Sequence, residues 1–127
     1  MVESVEVLRD ALSDNDEKTR ANAAGALGNL IRNGGKLAPI MAECMVPETL
    51  MQVVLEDKEV SPQRISLFSL GTMSVYASCR QSILNGTNPS INELFRKLKE
   101  GDKRNDDTIQ KYITRLKQKL NHPLSDS

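Results

Sequence analysis

The chain has 127 residues, enough for one domain with a substantial core. Hydrophobic residues make up 39%, charged residues 27% and aromatics only 3%, without tryptophan, so the core is aliphatic, as in helical proteins. The formal net charge is zero, which removes any overall pull toward nucleic acid or a membrane surface. The charge is unevenly spread, however. Residues 1–60 carry 6 basic and 11 acidic groups, and the rest of the chain is net basic. Solvated faces explain this polarity most simply, although it could also orient a partner.

Residues 1–13 read as a helix with Val5, Leu8 and Leu12 on one face. Asp14, Asn15 and Asp16 supply N-cap oxygens for a long helix over 18–33. Its apolar stripe is Ala23, Ala24, Leu27, Leu30 and Ile31, the spacing of one helical face built largely from small residues. Such a face suits a helix held closely between neighbours. Gly34 and Gly35 end it. A short helix over 36–44 turns Leu37, Ile40 and Met41 inward. Pro47 opens the next helix, 48–56, with Leu50, Met51, Val54 and Leu55 apolar.

Ser61-Pro62 reads as an N-cap followed by proline at the first helical position; that role also accounts for a sequence otherwise readable as a proline-directed phosphorylation site. The helix over 63–77 carries Ile65, Leu67, Leu70, Met73 and Tyr76. A short segment, 78–85, points Ile83 and Leu84 inward, and residues 86–89 turn. Ser90 and Glu93 form a capping box for a helix bearing Ile91, Leu94, Phe95 and Leu98. After a polar loop over 101–107 comes the last helix, 108–120, with Ile109, Tyr112, Ile113, Leu116 and Leu120 apolar. Residues 121–127 read as a flexible tail. No stretch carries a strand signal.

Shifting the sequence by 43 superimposes its apolar positions. Leu8, Met51 and Leu94 align, as do Leu12, Leu55 and Leu98; Leu27, Leu70 and Ile113; and Leu30, Met73 and Leu116. Gly28 meets Gly71, Ile40 meets Ile83 and Met41 meets Leu84. Helical units of this length are the signature of armadillo and HEAT solenoids. The expected fold is all-α: an armadillo/HEAT-like right-handed α-solenoid of about three repeats over 1–120, with units at about 1–33 (partial), 34–77 and 78–120. No unit can bury its own apolar face, so neighbours must stack. The first helix lacks a preceding neighbour, so Val5 and Leu8 are expected to be exposed and residues 1–13 available for self-association. Lys111, Arg115, Lys117 and Lys119 suit the outside of a terminal cap.

The run Ala23-Ala24-Gly25-Ala26-Leu27-Gly28-Asn29-Leu30 resembles the armadillo third-helix motif, an alanine pair before ALxNL. Residues 20–33, together with Phe68-Ser69-Leu70-Gly71-Thr72-Met73 and Cys79-Arg80-Gln81, are more narrowly similar to the C-terminal armadillo region of Fused-type serine/threonine kinases. The broad resemblance implies a concave groove, lined by third helices, that binds an extended peptide or helix. Import receptors of that family use a Trp and an Asn on each such helix. Asn29 matches the Asn position, but Thr72 and Arg115 follow it; the Trp position is held by Gly25, Phe68 and Lys111. The tryptophan ladder is absent, which argues against nuclear-signal binding. The narrow resemblance implies a cytoplasmic scaffold in cilia or axonemes, Hedgehog-type signalling or microtubule-linked assembly on the cytoskeleton, with kinesin-like partners.

The candidate groove residues are Asn22, Asn29, Arg32, Phe68, Thr72, Tyr76, Lys111 and Arg115. All are also readable as ordinary surface, and Phe68 and Tyr76 as core. Nothing in the sequence suggests catalysis. There is no Gly-rich loop with a downstream Lys, no HRD and no DFG. His122, the lone histidine, has no partner at useful spacing, and Cys44 and Cys79 show neither CxxC nor a nearby His. No enzyme activity, cofactor or metal is therefore expected of this chain. Neither nucleic acid nor membrane is an expected partner, since the basic end lacks interleaved aromatics and no long apolar run exists.

Overall fold

A computed structural model describes residues 2–33 and 35–124. Among them are eight α-helices and no strand: α1 (Val2–Ala11), α2 (Glu17–Ile31), α3 (Ala38–Glu43), α4 (Val46–Glu56), α5 (Val60–Met73), α6 (Ala77–Asn85), α7 (Ile91–Glu100) and α8 (Asp107–Asn121). A single 3-10 turn, Asp102–Asn105, fills the loop before α8. Expectations resting on Gly34 and on residues 125–127 lie outside the described residues.

The capping chemistry sets several starts. Asp16 accepts the Thr19 N–H at 2.9 Å and opens α2; Ser90 accepts from Glu93 at 3.1 Å and opens α7; Asp106 accepts from Ile109 at 2.9 Å and opens α8. Among the described residues only the serine half of the Ser90–Glu93 box is used; the Glu93 carboxylate lies 3.8 Å from the Lys97 ammonium. Gly35, at φ 73°, supplies the left-handed residue that turns the chain after α2, and its N–H donates to the Ile31 carbonyl.

Helices in equivalent positions stack: α2 on α5 on α8, α3 on α6, and α4 on α7. This is the repeat of 43 seen in space, an all-α solenoid. One continuous core runs through it, including Leu27, Met41, Leu50, Met51, Leu67, Leu70, Met73, Ile83, Leu94, Ile109 and Leu116. Arginines tie separate segments. Arg20 reaches Asp57 at 2.7 and 3.0 Å and also donates to the carbonyls of Asp14 and Asn15. Arg9 donates to the Cys44 carbonyl, and Arg80 joins the Ser74 and Lys119 carbonyls.

Four local expectations are corrected. Val5 is fully buried rather than exposed, because α1 lies against α2 and α3 and Val5 faces that contact; Val2 and Val7 are the exposed large apolar residues of α1, and Leu8 is half-buried. Ser61 is not the N-cap of α5. The helix begins at Val60, after a turn in which the Asp57 carboxylate accepts the Glu59 N–H and the Gln63 amide donates to the Asp57 carbonyl. Pro62 then falls within the first turn, where its missing N–H removes no helical bond. Tyr76 is not on the long helix. The Ser74 hydroxyl bonds back to the Gly71 carbonyl at 2.8 Å, α5 ends at Met73, and Tyr76 stands half-buried and extended just before α6. Leu84 is exposed. α6 turns Cys79 and Ile83 inward, one turn apart, and no equivalent helix packs on its far side among the described residues as α6 packs on α3.

Candidate functional site

The stacked helices α2, α5 and α8 line an open cavity of about 410 Å³. From α2 it receives Gly25, Gly28, Asn29 and, just past the helix end, Arg32. From α5 come Ser61, Arg64, Ile65, Phe68, Ser69 and Thr72, and from α8 Thr108 and Tyr112.

Small residues let α2 and α5 approach. The Ser69 hydroxyl donates to the Ala24 carbonyl at 2.7 Å, across the point where Gly28 has no side chain; a Cβ there would meet Ser69 Oγ at 2.5 Å. Between α5 and α8 the contact is built differently. Phe68 meets Tyr112 edge to face, with ring centroids 5.1 Å apart at 66°. The Arg115 guanidinium lies 3.8 Å over the centre of the Phe68 ring and donates to the Phe68 carbonyl at 2.8 Å and the Thr72 hydroxyl at 3.1 Å. It occupies the space left beside Gly71.

Charge divides the groove. At the end formed by the starts of α5 and α8, Arg64 is neutralised by Asp106 at 2.8 Å. Burial pushes the Asp106 carboxyl up, but the Arg64 bond, the Ile109 and Thr108 N–H groups and the Arg64 charge outweigh it and hold the carboxyl below its usual range. Toward the other end stands Arg115, whose acceptors are neutral. Burial first, and the neighbouring Arg32 charge second, depress its pKa. The exposed Arg32 side chain makes no hydrogen bond or ion pair among the described residues.

Of the residues singled out from sequence, Asn29, Arg32, Phe68 and Thr72 line the cavity together. Arg115 braces its wall from behind Phe68. Asn22 and Lys111 are exposed on α2 and α8 without lining it, and Tyr76 stands apart from it, against the core. Sequence reasoning missed Arg64, Ser69 and Tyr112 as groove elements. The signal for Ser69 was available in the paired glycines Gly28 and Gly71, 43 residues apart, which mark close approach.

Nothing in this arrangement activates a nucleophile. Cys79 is buried, its thiol pushed up to about 12 by burial and by Glu48, and its Sγ lies 3.6 Å from the Ala38 carbonyl. Among the described residues no three of His, Cys, Asp and Glu gather as metal ligands, and no helix is long and apolar enough to cross a membrane. What the cavity offers is an amide, hydroxyls, two rings and two guanidiniums on one open face, a set suited to holding a peptide.

Comparison with known proteins agrees with this architecture. Residues 1–32 match the armadillo/beta-catenin-like repeat. The chain is 38% identical over 81 residues to the serine/threonine-protein kinase TIO of Arabidopsis thaliana, a Fused-type kinase. That match takes in 54% of this chain but only 6% of the relative, whose kinase domain lies outside it. No solved structure matches. In sequence, residues 1–32 are thus similar to an armadillo repeat, and the chain is similar over part of its length to a Fused-type serine/threonine kinase.

Proposed function

We propose that this chain is a protein-interaction module whose working surface is the α2–α5–α8 groove, docking an extended peptide or a helix of a partner. The observation that carries this is the open cavity of about 410 Å³ in which Asn29, Arg32, Phe68 and Thr72, four residues on two successive units, face one space. Asn29 has both a donor and an acceptor for a partner's main chain. Phe68 and Tyr112 offer ring surface for an apolar anchor, and a few such contacts supply most of an interface's affinity. The repeat units of the module run over about 1–33, 34–77 and 78–120.

The test is affinity capture with the wild type and an Asn29→Trp variant. Asn29 is exposed, so the indole fills the groove without disturbing the core. A partner held by the wild type and lost by the variant, with unchanged circular dichroism, supports the groove. A partner kept by both overturns it.

The similarity to TIO supports a finer reading, that the module is the C-terminal armadillo part of a Fused-like kinase. There it would be a cytoplasmic scaffold in cilia or axonemes, signalling or microtubule-linked assembly on the cytoskeleton, with a kinesin-like partner. Fluorescently tagged protein that never co-localises with cilia or microtubules would count against this placement.

A second reading rests on a different observation. Val2 and Val7 of α1 are exposed at 47% and 66%, and α1 is the first helix among the described residues. Residues 1–13 would then mediate end-to-end self-association as a structural oligomerising module. Mass that rises with concentration in light scattering, and falls back to monomer in Val7→Lys, is the expected outcome; a constant monomer mass removes this reading.

A further inference from the structure

We propose that Ser61 is a phosphorylation site for a proline-directed serine/threonine kinase, and that its phosphate closes the groove. The closure rests on the groove reading above; the site itself stands without it.

A serine followed directly by proline has the form such a kinase takes, and an N-cap role is the plain alternative explanation of the pair. That alternative fails, because Ser61 lies inside α5, second in the helix. Its hydroxyl makes no hydrogen bond among the described residues, and the half-buried side chain lines the cavity. A residue before proline favours extended backbone, and helix ends open more readily than helix interiors. The turn holding Ser61 is therefore well placed to take the extended form that a kinase binds.

The surroundings suit a phosphate. α5 has 14 residues, with no acid in its first turn and no side-chain cap. The Asp57 carboxylate takes the Glu59 N–H and Pro62 has none, which leaves the Val60 and Ser61 N–H groups at the positive end of the helix. Arg64, three residues on, neighbours Ser61 on the helix surface and lines the same cavity. One of its donors goes to Asp106 at 2.8 Å, and its Nε is shielded from solvent without a partner. A phosphate brings a charge approaching −2 and three acceptor oxygens, so it draws on Arg64 more strongly than a carboxylate does. Of the acids at this end, Glu59 and Asp107 are exposed and screened by solvent. Asp106 keeps its Oδ1 on the Ile109 N–H even when its Oδ2 gives up Arg64.

The donor is ATP. The Ser61 Oγ forms a bond to the γ-phosphorus, the bond from that phosphorus to the β,γ-bridging oxygen breaks, ADP leaves, and the hydroxyl proton passes to the kinase's catalytic base. The phosphate then adds bulk and negative charge to a wall shared with Ile65, Phe68 and Tyr112, the ring surface offered to a partner. A segment seated there loses that surface.

Incubation of the whole chain with ATP, Mg²⁺ and a proline-directed kinase, followed by mass-spectrometric mapping, tests the site. Phosphate is expected on Ser61 and should be lost in Ser61→Ala and in Pro62→Ala, with circular dichroism verifying the fold. Phosphorus NMR should place the second pKa of the phosphate below its ordinary value of about 6, and Arg64→Gln should return it toward that value. Peptides selected on the unmodified chain from a random displayed library should bind the phosphorylated chain roughly tenfold more weakly, or worse. Absence of phosphate from Ser61, or phosphate indifferent to Pro62→Ala, overturns the site. A pKa unmoved by Arg64→Gln overturns the role of Arg64. Peptides that bind the phosphorylated chain undiminished, yet are lost in Asn29→Trp, overturn the closure and leave the groove standing. Peptides that still bind Asn29→Trp overturn the groove reading and the closure with it.

Discussion

The junction of α2 with α5 and the junction of α5 with α8 join equivalent helices of successive units, yet they are closed by different means. Between α2 and α5 the backbones come together over Gly28 and Ala24, and a short serine hydroxyl links them there, Ser69 to the Ala24 carbonyl. Between α5 and α8 a long side chain fills the space: the Arg115 guanidinium lies beside Gly71 and over Phe68, with the Arg64–Asp106 pair at the other end. A single repeat register can therefore be satisfied by close backbone approach at one step and by a flexible, charged filler at the next. The first junction is sensitive to added volume, the second to lost polar contacts.

Leu70→Ala probes what the two junctions share. Leu70 is fully buried on α5, and its truncation should cost about 2–5 kcal/mol in denaturant unfolding. A loss below about 0.5 kcal/mol would break the helical register on which the comparison stands. The glycines separate the junctions. Gly28→Ala and Gly71→Ala gain the same helix propensity, so their difference reports on space alone. A methyl at Gly28 meets the short Ser69 side chain, whereas at Gly71 it meets the movable end of Arg115. Gly28→Ala should be the more destabilising by about 1–2 kcal/mol, and equal costs would erase the distinction.

Arg115→Met keeps much of the volume and removes the ring contact and both hydrogen bonds. It should cost about 1–2 kcal/mol, with little effect on the near side of α2. The smallest effect concerns pH. Burial acts against the Asp57 carboxylate, but Arg20 and the Glu59 N–H hold its pKa below the unfolded value, and Asp106 is lowered likewise. A depressed carboxylate contributes stability that is present above its unfolded pKa of about 3.9 and is lost as pH falls through the folded pKa. Stability should therefore fall on acidification below about pH 4, and Asp106→Asn should flatten that fall by removing only the part belonging to the α5–α8 junction. An acid limb unchanged in Asp106→Asn would mean that the Arg64 pair contributes nothing there.

Much of the fold was legible because its determinants are local or periodic. Asp16 and Ser90 cap within three residues of themselves, and the stripe of Ala23, Ala24, Leu27 and Ile31 follows from helical spacing. The failures came where a distant contact decides. The start of α5 depends on the turn at Asp57, which is held from α2 by Arg20, so Ser61 could not reveal that it lies inside the helix. Leu84 aligns with buried Met41, but burial depends on which helices pack around each position and not on the alignment. Of the site, periodicity identified Asn29, Phe68 and Thr72 as equivalent faces. It could not show that Arg115, in the same register as Asn29 and Thr72, folds back onto Phe68, because the vacancy that admits it is Gly71, 44 residues earlier.

A linear stack of units can fray from an end one unit at a time. Arg20 opposes this at the α2 side. One guanidinium holds the turn before its own helix, through the Asp14 and Asn15 carbonyls, and the turn that launches α5, through Asp57. Peeling α2 away strands the Asp57 carboxylate, which is almost inaccessible, without its counter-ion. The opening of α2 and α5 is thereby fused into one event, so their amides should exchange with solvent together, and loosening of the stack should begin from the α7–α8 side.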